Sequence, residues 1–293
     1  MEMRLEQLRS FVAVAELRHF TQAAVAVGVA QPSLSKQIHS LEAELGAPLF
    51  TRLPSEVELT PAGETLLPLA QRILADAETA HREVRNLVGL TRGRVRLGAT
   101  PSLCTSLAPR VLRRFHTAHP EIELRVAEGG SQELVNALSH GELDLALVVL
   151  PETGIDPALE AAPILDEDLV VATAVGTSLP QPMLVEDLRD RPLVMFRPGY
   201  TLRDDVLAAC RQAGFEPTFA VEGGELDAVL GFVEAGLGLA VVPEMVLANR
   251  PGLWAVPLAP PLRRTIAVAQ RRGVTLTHAA SALRDVLLAE VGR

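Results

Sequence analysis

The feature of this sequence that most constrains its fold is a run of seven apolar residues between positions 66 and 87. They follow one another at spacings of 4, 3, 4, 3, 4 and 3, the a/d pattern of a helix that packs along a second helix. The run predicts a long dimerising helix over positions 61–90. An amphipathic helix packed on its own domain is the alternative. The residues are Leu66, Ala70, Ile73, Ala77, Ala80, Val84 and Leu87.

The residues before this helix predict a small helical domain over positions 1–60. An apolar stripe at helical spacing from Leu5 to Ala15 indicates a first helix. Thr21 is the expected N-cap of a second helix, which Gly28 ends. The dipeptide Thr60-Pro61 has the chemistry of an N-cap and a first helical residue, so it marks where the long helix begins.

A third short helix is expected between Pro32, a residue favoured at the first helical position, and Gly46. One of its faces is apolar and the opposite face is polar. After Pro48, two short extended pieces are separated by Pro54-Ser55, which indicates a small hairpin, or wing. Three short helices followed by a hairpin, or wing, are therefore expected in this domain.

From Arg94 to the end of the chain, strand-like and helix-like segments alternate, which predicts two α/β lobes. Their apolar strands are typical of parallel sheets covered on both faces. This two-lobed part is placed at 91–293, with one lobe at about 91–162 and 266–293 and the other at about 163–265. Small ligands usually bind at the carboxyl ends of such strands, so the cleft between the lobes is the expected ligand site.

Composition excludes several classes of protein. The chain has 293 residues, of which 48% are apolar, as expected for a folded protein. Its net charge of −9 argues against loose, charge-driven binding of nucleic acid. Two cysteines cannot form a disulfide framework. No secretory signal and no apolar run of about 20 residues is visible. A cytoplasmic protein without a membrane segment is expected.

Three stretches resemble the LysR-type transcriptional regulators. FVAVAELRHFTQAAVAVGVAQPSLSKQIHSLEAELGAPLFTR is similar to their winged helix-turn-helix, ELTPAGETLLPLAQRIL to the junction of wing and linker helix, and GFVEAGLGLAVVPE to a stretch of their second lobe. The resemblance implies a winged helix-turn-helix, a linker helix and a two-lobed domain like periplasmic binding proteins. It also implies homodimers or homotetramers on double-stranded operator DNA, a small-molecule effector, RNA polymerase as a further partner, no cofactor and no enzymatic activity.

The resemblance places the third helix in the major groove, where residues near the helix N-terminus reach base edges. Backbone NH groups at Thr21 and Gln22 are expected to hold a phosphate, and Arg52 of the wing to enter a minor groove, touch phosphate or lie on the surface. Residues 1–60 carry five basic and seven acidic groups, a net charge of −2. Tight binding to DNA should therefore need several of these domains on one site. The expected base-reading residues are Gln31, Pro32, Ser33, Ser35, Lys36 and Gln37.

The effector is expected at turns that join strands to helices in the cleft. Free NH groups and the helix dipole at such turns favour an anionic ligand. Ser102 is the leading candidate, and simple helix capping is the alternative role for its hydroxyl. The full set of expected contacts is Thr100, Pro101, Ser102, Ser131, Gln132, Arg197, Pro198, Tyr200 and Thr201.

The segment GYTLRDDVLAAC resembles the redox segment of the family's peroxide sensors. Cys210 matches its later cysteine, but Thr201 stands where the peroxide-reactive cysteine would be, so the sensing disulfide is not expected. The default role of Cys104 and Cys210 is a small buried side chain. His116 and His119 lack a third ligand, so no metal is expected. A solute-binding protein and an α/β enzyme are the competing classes, and the effector, target genes and sign of regulation stay open.

Overall fold

The computed structural model describes residues 3–52, 57–87, 93–151 and 154–291. The chain divides into two compact units with the main break before Gly93, and the short stretch Ala137–Glu142 is grouped with the first unit. The first unit contains three helices, a hairpin and a long helix, as predicted. Its elements are α1 (Leu5–Leu17), α2 (Phe20–Val27), α3 (Gln31–Leu45), β1 (Phe50–Arg52), β2 (Val57–Leu59) and α4 (Pro61–Leu87).

The core of the first unit lies between α1 and α3. Leu8, Phe11 and Val14 of α1 pack with the apolar face of α3, and Phe11 contacts the ring of Phe50 at the start of the wing, with 5.4 Å between ring centroids. In the wing, β1 and β2 pair antiparallel. This packing holds α3 against the domain and leaves its polar face outside.

Local chemistry explains most helix ends in this unit. Gly28 and Gly46 end α2 and α3 with φ values of 74° and 71°, as predicted. The hydroxyl of Thr60 accepts a hydrogen bond from the NH of Gly63 at 3.1 Å, which is the predicted cap of α4.

Two details of the predicted helix starts are wrong. Thr21 is not the N-cap of α2, because the helix begins at Phe20 and the extended residue His19 caps it through Nδ1, which accepts from the NH of Gln22 at 3.4 Å. In α3, the helix begins at Gln31, so Pro32 is its second residue and not its first.

The first half of the apolar stripe on α4 packs inside its own unit, which corrects the assignment of all seven residues to a partner helix. Leu66 and Ile73 pack against the core of the unit, and Ala70 is 0% exposed. Ala70 therefore has no surface left for a second chain. The second half differs, because Ala80 is exposed and Val84 is 61% exposed. Ala77 is half-buried, and the side chain of Leu87 lies outside the described part of the structure.

The second unit alternates strands and helices, as predicted. Its elements are β3 (Arg94–Ala99), α5 (Pro101–Thr105), α6 (Leu107–Ala118), β4 (Glu123–Glu128), α7 (Ser131–Ser139), β5 (Leu145–Leu150), β6 (Leu159–Ala174), β7 (Leu193–Phe196), α8 (Thr201–Gln212), β8 (Phe219–Gly224), α9 (Leu226–Glu234), β9 (Ala240–Pro243), β10 (Leu253–Arg271) and α10 (His278–Val291).

The sheets are mixed, which corrects the expectation of parallel sheets. Strands β4, β3 and β5 are parallel, but β10 runs antiparallel to β5 and β6, and β9 runs antiparallel to β6. The order in the six-stranded sheet is β4-β3-β5-β10-β6-β9, and β7 and β8 form a separate parallel pair.

Two strands are much longer than the others, β6 with 16 residues and β10 with 19. They pair from Leu253 opposite Ala174 to Arg271 opposite Leu159, so they form a ribbon that crosses both lobes. A register shift between Pro257 and Leu262 lets β10 continue past the prolines in this stretch.

Each lobe has a separate apolar core. In the first lobe, Ile266 and Val268 of β10 pack with the buried strands β3 and β5 and with α10. In the second lobe, the buried faces of β7, β9, α8 and α9 pack together with the start of β10. No helix in the described ranges is both long and apolar enough to cross a membrane.

Candidate functional site

The polar face of α3 is available for contact over most of its first two turns. Gln31, Pro32, Ser33 and Lys36 are exposed, and Ser35 is half-buried. The amide of Gln31 donates to the hydroxyl of Ser35 at 3.0 Å, which links two candidate base-reading side chains one turn apart. Lys36 projects from this surface, away from the buried residues of α3. Five of the six predicted base-reading residues therefore lie on the accessible side of the helix.

Gln37 is the exception, because it is half-buried and its amide oxygen is engaged within the domain. The hydroxyl of Ser10, itself buried on α1, donates to the amide oxygen of Gln37 at 2.5 Å. Gln37 lies three residues after Leu34 and four before Leu41, on the face that packs against α1. A second hydrogen bond between α1 and α3 runs from the amide of Gln7 to the hydroxyl of Ser40. Gln37 therefore helps to fix α3 on its scaffold.

The other predicted DNA contacts have mixed outcomes. Thr21 and Gln22 are exposed at the start of α2, but the NH of Gln22 already has the ring nitrogen of His19 as its acceptor. Of the two NH groups predicted to bind a phosphate, that of Gln22 is therefore already engaged. Arg52 ends β1 opposite Val57, and its side chain lies outside the described part of the structure.

In the second unit, the turn after β3 carries two buried hydroxyl groups. Ser102 is 3% exposed, and its Oγ lies 3.5 Å from the Oγ1 of Thr100. Pro101 is buried and begins α5. The guanidinium of Arg264 donates to the Ser102 hydroxyl at 2.9 Å. Ser102 therefore connects the turn of the first lobe to the long strand β10.

Arg264 forms a buried ion pair with Glu167, and sequence analysis missed both residues. They are cross-strand neighbours on β10 and β6, and the distance from Arg264 Nη2 to Glu167 Oε2 is 2.7 Å. Burial raises the pKa of Glu167, although the charge of Arg264 acts in the opposite direction. A backbone hydrogen bond from Met245 also lowers the pKa of this carboxylate. Each lies in a charged run, Glu167 between Asp166 and Asp168 and Arg264 after Arg263, so the sequence alone did not single out either residue.

Tyr200 lies in the loop before α8, as predicted, and is only 8% exposed. Its ring stacks on Phe196 with 4.8 Å between centroids, and burial raises the pKa of its phenol. Among the described residues, its hydroxyl has no hydrogen-bond partner. The guanidinium carbon of Arg197 lies 6.0 Å from the ring centroid, and Arg197 is paired with Glu225.

The remaining predicted contacts of the second lobe lie beside Tyr200. Pro198 is exposed and Thr201 is the first residue of α8. At the facing turn of the first lobe, a Cβ built on Gly130 would lie 3.6 Å from the carbonyl oxygen of Gly199. The turns that precede α7 and α8 therefore approach each other across the cleft.

Two predicted contacts at α7 are occupied by local structure. The hydroxyl of Ser131 accepts from the NH of Val149 at 3.3 Å, so it ties α7 to β5. Gln132 is exposed and donates to Asn136 at 3.1 Å. Both side chains thus have local partners, and their role as effector contacts stays a prediction.

The anion-binding capacity of these turns is smaller than the sequence suggested. The NH of Gly130 donates to a carboxylate oxygen of Glu133 at 2.8 Å, so the first turn of α7 already holds an acid. Helix α5 has only five residues, too few for a large dipole. Both Arg197 and Arg264 are paired with carboxylates. An anionic ligand would have to compete with these acids.

The two cysteines are free thiols in apolar surroundings. Burial raises the pKa of each to about 11. Few thiolates are then present at neutral pH, and the thiolate is the reactive form. In the described part of the chain, no group of three or more His, Cys, Asp or Glu side chains is arranged to hold a metal ion.

A winged helix-turn-helix, a long helix and a two-lobed α/β unit with buried polar groups in its cleft define a ligand-responsive DNA-binding regulator. The family models agree with this class. "Bacterial regulatory helix-turn-helix protein, lysR family" matches residues 5–64, and "LysR substrate binding domain" matches residues 89–292. The chain belongs to the LysR family of transcriptional regulators, with a DNA-binding head and an effector-binding domain.

Individual relatives cover nearly the whole chain. A probable hydrogen peroxide-inducible genes activator of Streptomyces viridosporus is 35% identical over 97% of this chain and 94% of its own length. The transcriptional dual regulator GltC of Bacillus subtilis is 31% identical over 95% of this chain and 94% of its own length.

Solved structures show the same arrangement of elements. A full-length OxyR variant from Pseudomonas aeruginosa has a TM-score of 0.74 and 30% identity, covering 98% of both chains. CbnR in complex with its target DNA has a TM-score of 0.67 and 26% identity, covering 97% of this chain and 99% of CbnR.

Proposed function

We propose that this protein binds operator DNA as a homodimer or homotetramer and alters transcription when a small molecule enters the cleft between its lobes. The observation that carries the proposal is the cluster of buried polar groups around Ser102, Arg264 and Tyr200. A buried polar atom without a partner costs about 1–3 kcal/mol, and among the described residues the Tyr200 hydroxyl is such an atom. A ligand with a hydrogen-bonding group would satisfy it.

The effector is a small molecule with an acidic group that competes with Glu225 for Arg197. That ion pair is partly exposed, whereas the pair of Arg264 and Glu167 is buried. An incoming acid exchanges more readily with an exposed carboxylate, because less structure must open. The ligand can shift DNA binding only if it favours one arrangement of the lobes over another.

Other parts of the proposal follow from membership of the family. The protein works in the cytoplasm, where operator DNA is found, and contacts RNA polymerase when it regulates. It catalyses no reaction and uses no cofactor besides the effector. Although some relatives are named as peroxide-inducible activators, Thr201 and the raised pKa of Cys210 favour a non-covalent ligand here.

The test begins with a gel-shift assay of the full chain on the DNA upstream of its own gene. A thermal-shift screen of small carboxylic acids then identifies compounds that bind. We expect Ser102→Ala to weaken the response of DNA binding to such a compound and to leave compound-free DNA binding unchanged. Thr117→Ala is the matched control, since it removes an exposed hydroxyl of α6 that bonds only within its helix.

Two results would contradict the proposal. Absence of any specific shift on the upstream DNA would refute operator binding at that site. A wild-type response in Ser102→Ala would mean that the hydroxyl serves only the turn and its contact with Arg264.

A further inference from the structure

The exposed face of α3 extends one turn beyond Lys36, to a residue that sequence analysis did not assign to DNA. Pro32, Ser35, Lys36 and His39 follow one another at spacings of 3, 1 and 3. Homeodomains read the major groove with four residues of one helix at the same spacing. The side chain of His39 is 59% exposed. His39 therefore occupies the fourth position of a groove-reading face.

Glu42 holds the imidazole of His39 from behind. Its Oε2 lies 3.3 Å from Nδ1 of His39. Its Oε1 accepts hydrogen bonds from the NH groups of Leu49 and Phe50 at 2.8 and 3.4 Å. One carboxylate thus contacts both the recognition helix and the start of the wing, and the carboxylate itself is only slightly exposed.

The carboxylate of Glu42 favours the neutral form of His39 that carries its hydrogen on Nδ1. An ionised carboxylate accepts hydrogen bonds and cannot donate them, so Nδ1 must be protonated to face it favourably. In the neutral imidazole, the other nitrogen, Nε2, is then an acceptor. In the major groove, the amino groups of cytosine and adenine are donors, whereas guanine and thymine present acceptors.

We propose that His39 is a fourth base-reading residue and that Glu42, as a positioning residue, makes it select a cytosine or adenine amino group. The proposal rests on the operator binding proposed above. Glu42 acts through the tautomer of His39 and contacts no base itself. The same carboxylate also fixes the position of the wing relative to the recognition helix.

The experiment selects DNA from a random-sequence library with the full chain at pH 8. Four proteins are compared: wild type, His39→Ala, Glu42→Gln and the double variant. In Glu42→Gln, the amide oxygen can still accept from Leu49 and Phe50, but the amide NH₂ faces Nδ1. The imidazole then carries its hydrogen on Nε2 and presents a donor.

We expect wild type to prefer cytosine or adenine at one position of the selected motif, by about fivefold. Glu42→Gln should reverse the preference at that position to guanine or thymine and leave the other positions unchanged. His39→Ala should remove the preference, and the double variant should behave as His39→Ala does. Because His39 is exposed, its removal should not change the melting temperature.

Three outcomes would overturn the inference. An unchanged base preference in His39→Ala would show that His39 reads no base. A preference in Glu42→Gln that equals that of wild type would show that Glu42 does not set the tautomer. A reversal that persists in the double variant would assign the effect to Glu42 alone. If wild type enriches no motif at all, operator binding itself fails, so the two failures are distinguishable.

Discussion

Replacing Arg264 with methionine tests whether the buried ion pair in the cleft contributes to the stability of the second unit. The substitution removes the positive charge that faces Glu167 and the donor that reaches Ser102. Breaking a buried pair by removing one partner costs about 3–5 kcal/mol. This is a large share of the stability of an ordinary domain, about 5–15 kcal/mol. We expect Arg264→Met to lose stability by this amount at pH 7.5.

The loss should depend on pH, with a sign that follows from Glu167. Burial already raises the pKa of this carboxyl, and Arg264 opposes the rise. Without Arg264 the pKa should rise further. A group whose pKa is higher in the folded state stabilises the fold at low pH and ceases to do so as the pH rises through that value. The deficit of Arg264→Met should therefore shrink as the pH falls from 7.5 toward 5.

Urea unfolding at both pH values provides the measurement, because Trp254, the chain's single tryptophan, reports on the second unit by fluorescence. The double variant Glu167→Met with Arg264→Met should recover most of the lost stability, since no buried charge then stays unpaired. Arg197→Met is the control for an exposed pair and should change stability little. The reasoning would be refuted if Arg264→Met were as stable as wild type at pH 7.5, or if the double variant were less stable than Arg264→Met.

Three further predictions concern the first unit. Lys36→Ala should cost about 1–3 kcal/mol of operator affinity per half-site without changing the melting temperature, and an unchanged affinity in a gel shift would exclude it as a base-reading residue. Ala80→Asp should reduce the assembly size in sedimentation, whereas Ala70→Asp should unfold the head; full assembly of the Ala80 variant would place dimerisation elsewhere. Gly63→Ala should lower the thermal stability of the head, because its Cβ would lie 2.3 Å from the carbonyl oxygen of Leu49, and an unchanged melting curve would show that α4 shifts at no cost.

Features that depend on local chemistry were predictable from the sequence. The glycines that end α2 and α3 and the Thr60-Pro61 start of α4 act through a few neighbouring atoms, so the residue types alone indicate them. The cap of α2 was missed because a histidine ring nitrogen performs the role that sequence analysis assigned to Thr21. The order of the lobes' elements was predictable for the same local reason, since each strand and helix has its own periodicity.

Features that depend on tertiary packing were not predictable in this way. Periodicity shows that Leu66, Ala70 and Ile73 are covered, but it does not show whether the same chain or another covers them. Gln37 looked like its polar neighbours, and only the position of Ser10 on α1 shows that it faces inward. Arg264 and Glu167 are 97 residues apart, so nothing near either one indicates the pair.

The ribbon formed by β6 and β10 has a consequence for signalling within the second unit. Because the paired strands pass from one lobe into the other, the lobes share a stiff hydrogen-bonded strip and are not joined by loose linkers alone. Rotation of one lobe against the other must twist this strip. Arg264 and Glu167 lie on it as facing neighbours. A molecule that alters this pair would therefore act on the same strip that any rotation of the lobes must twist.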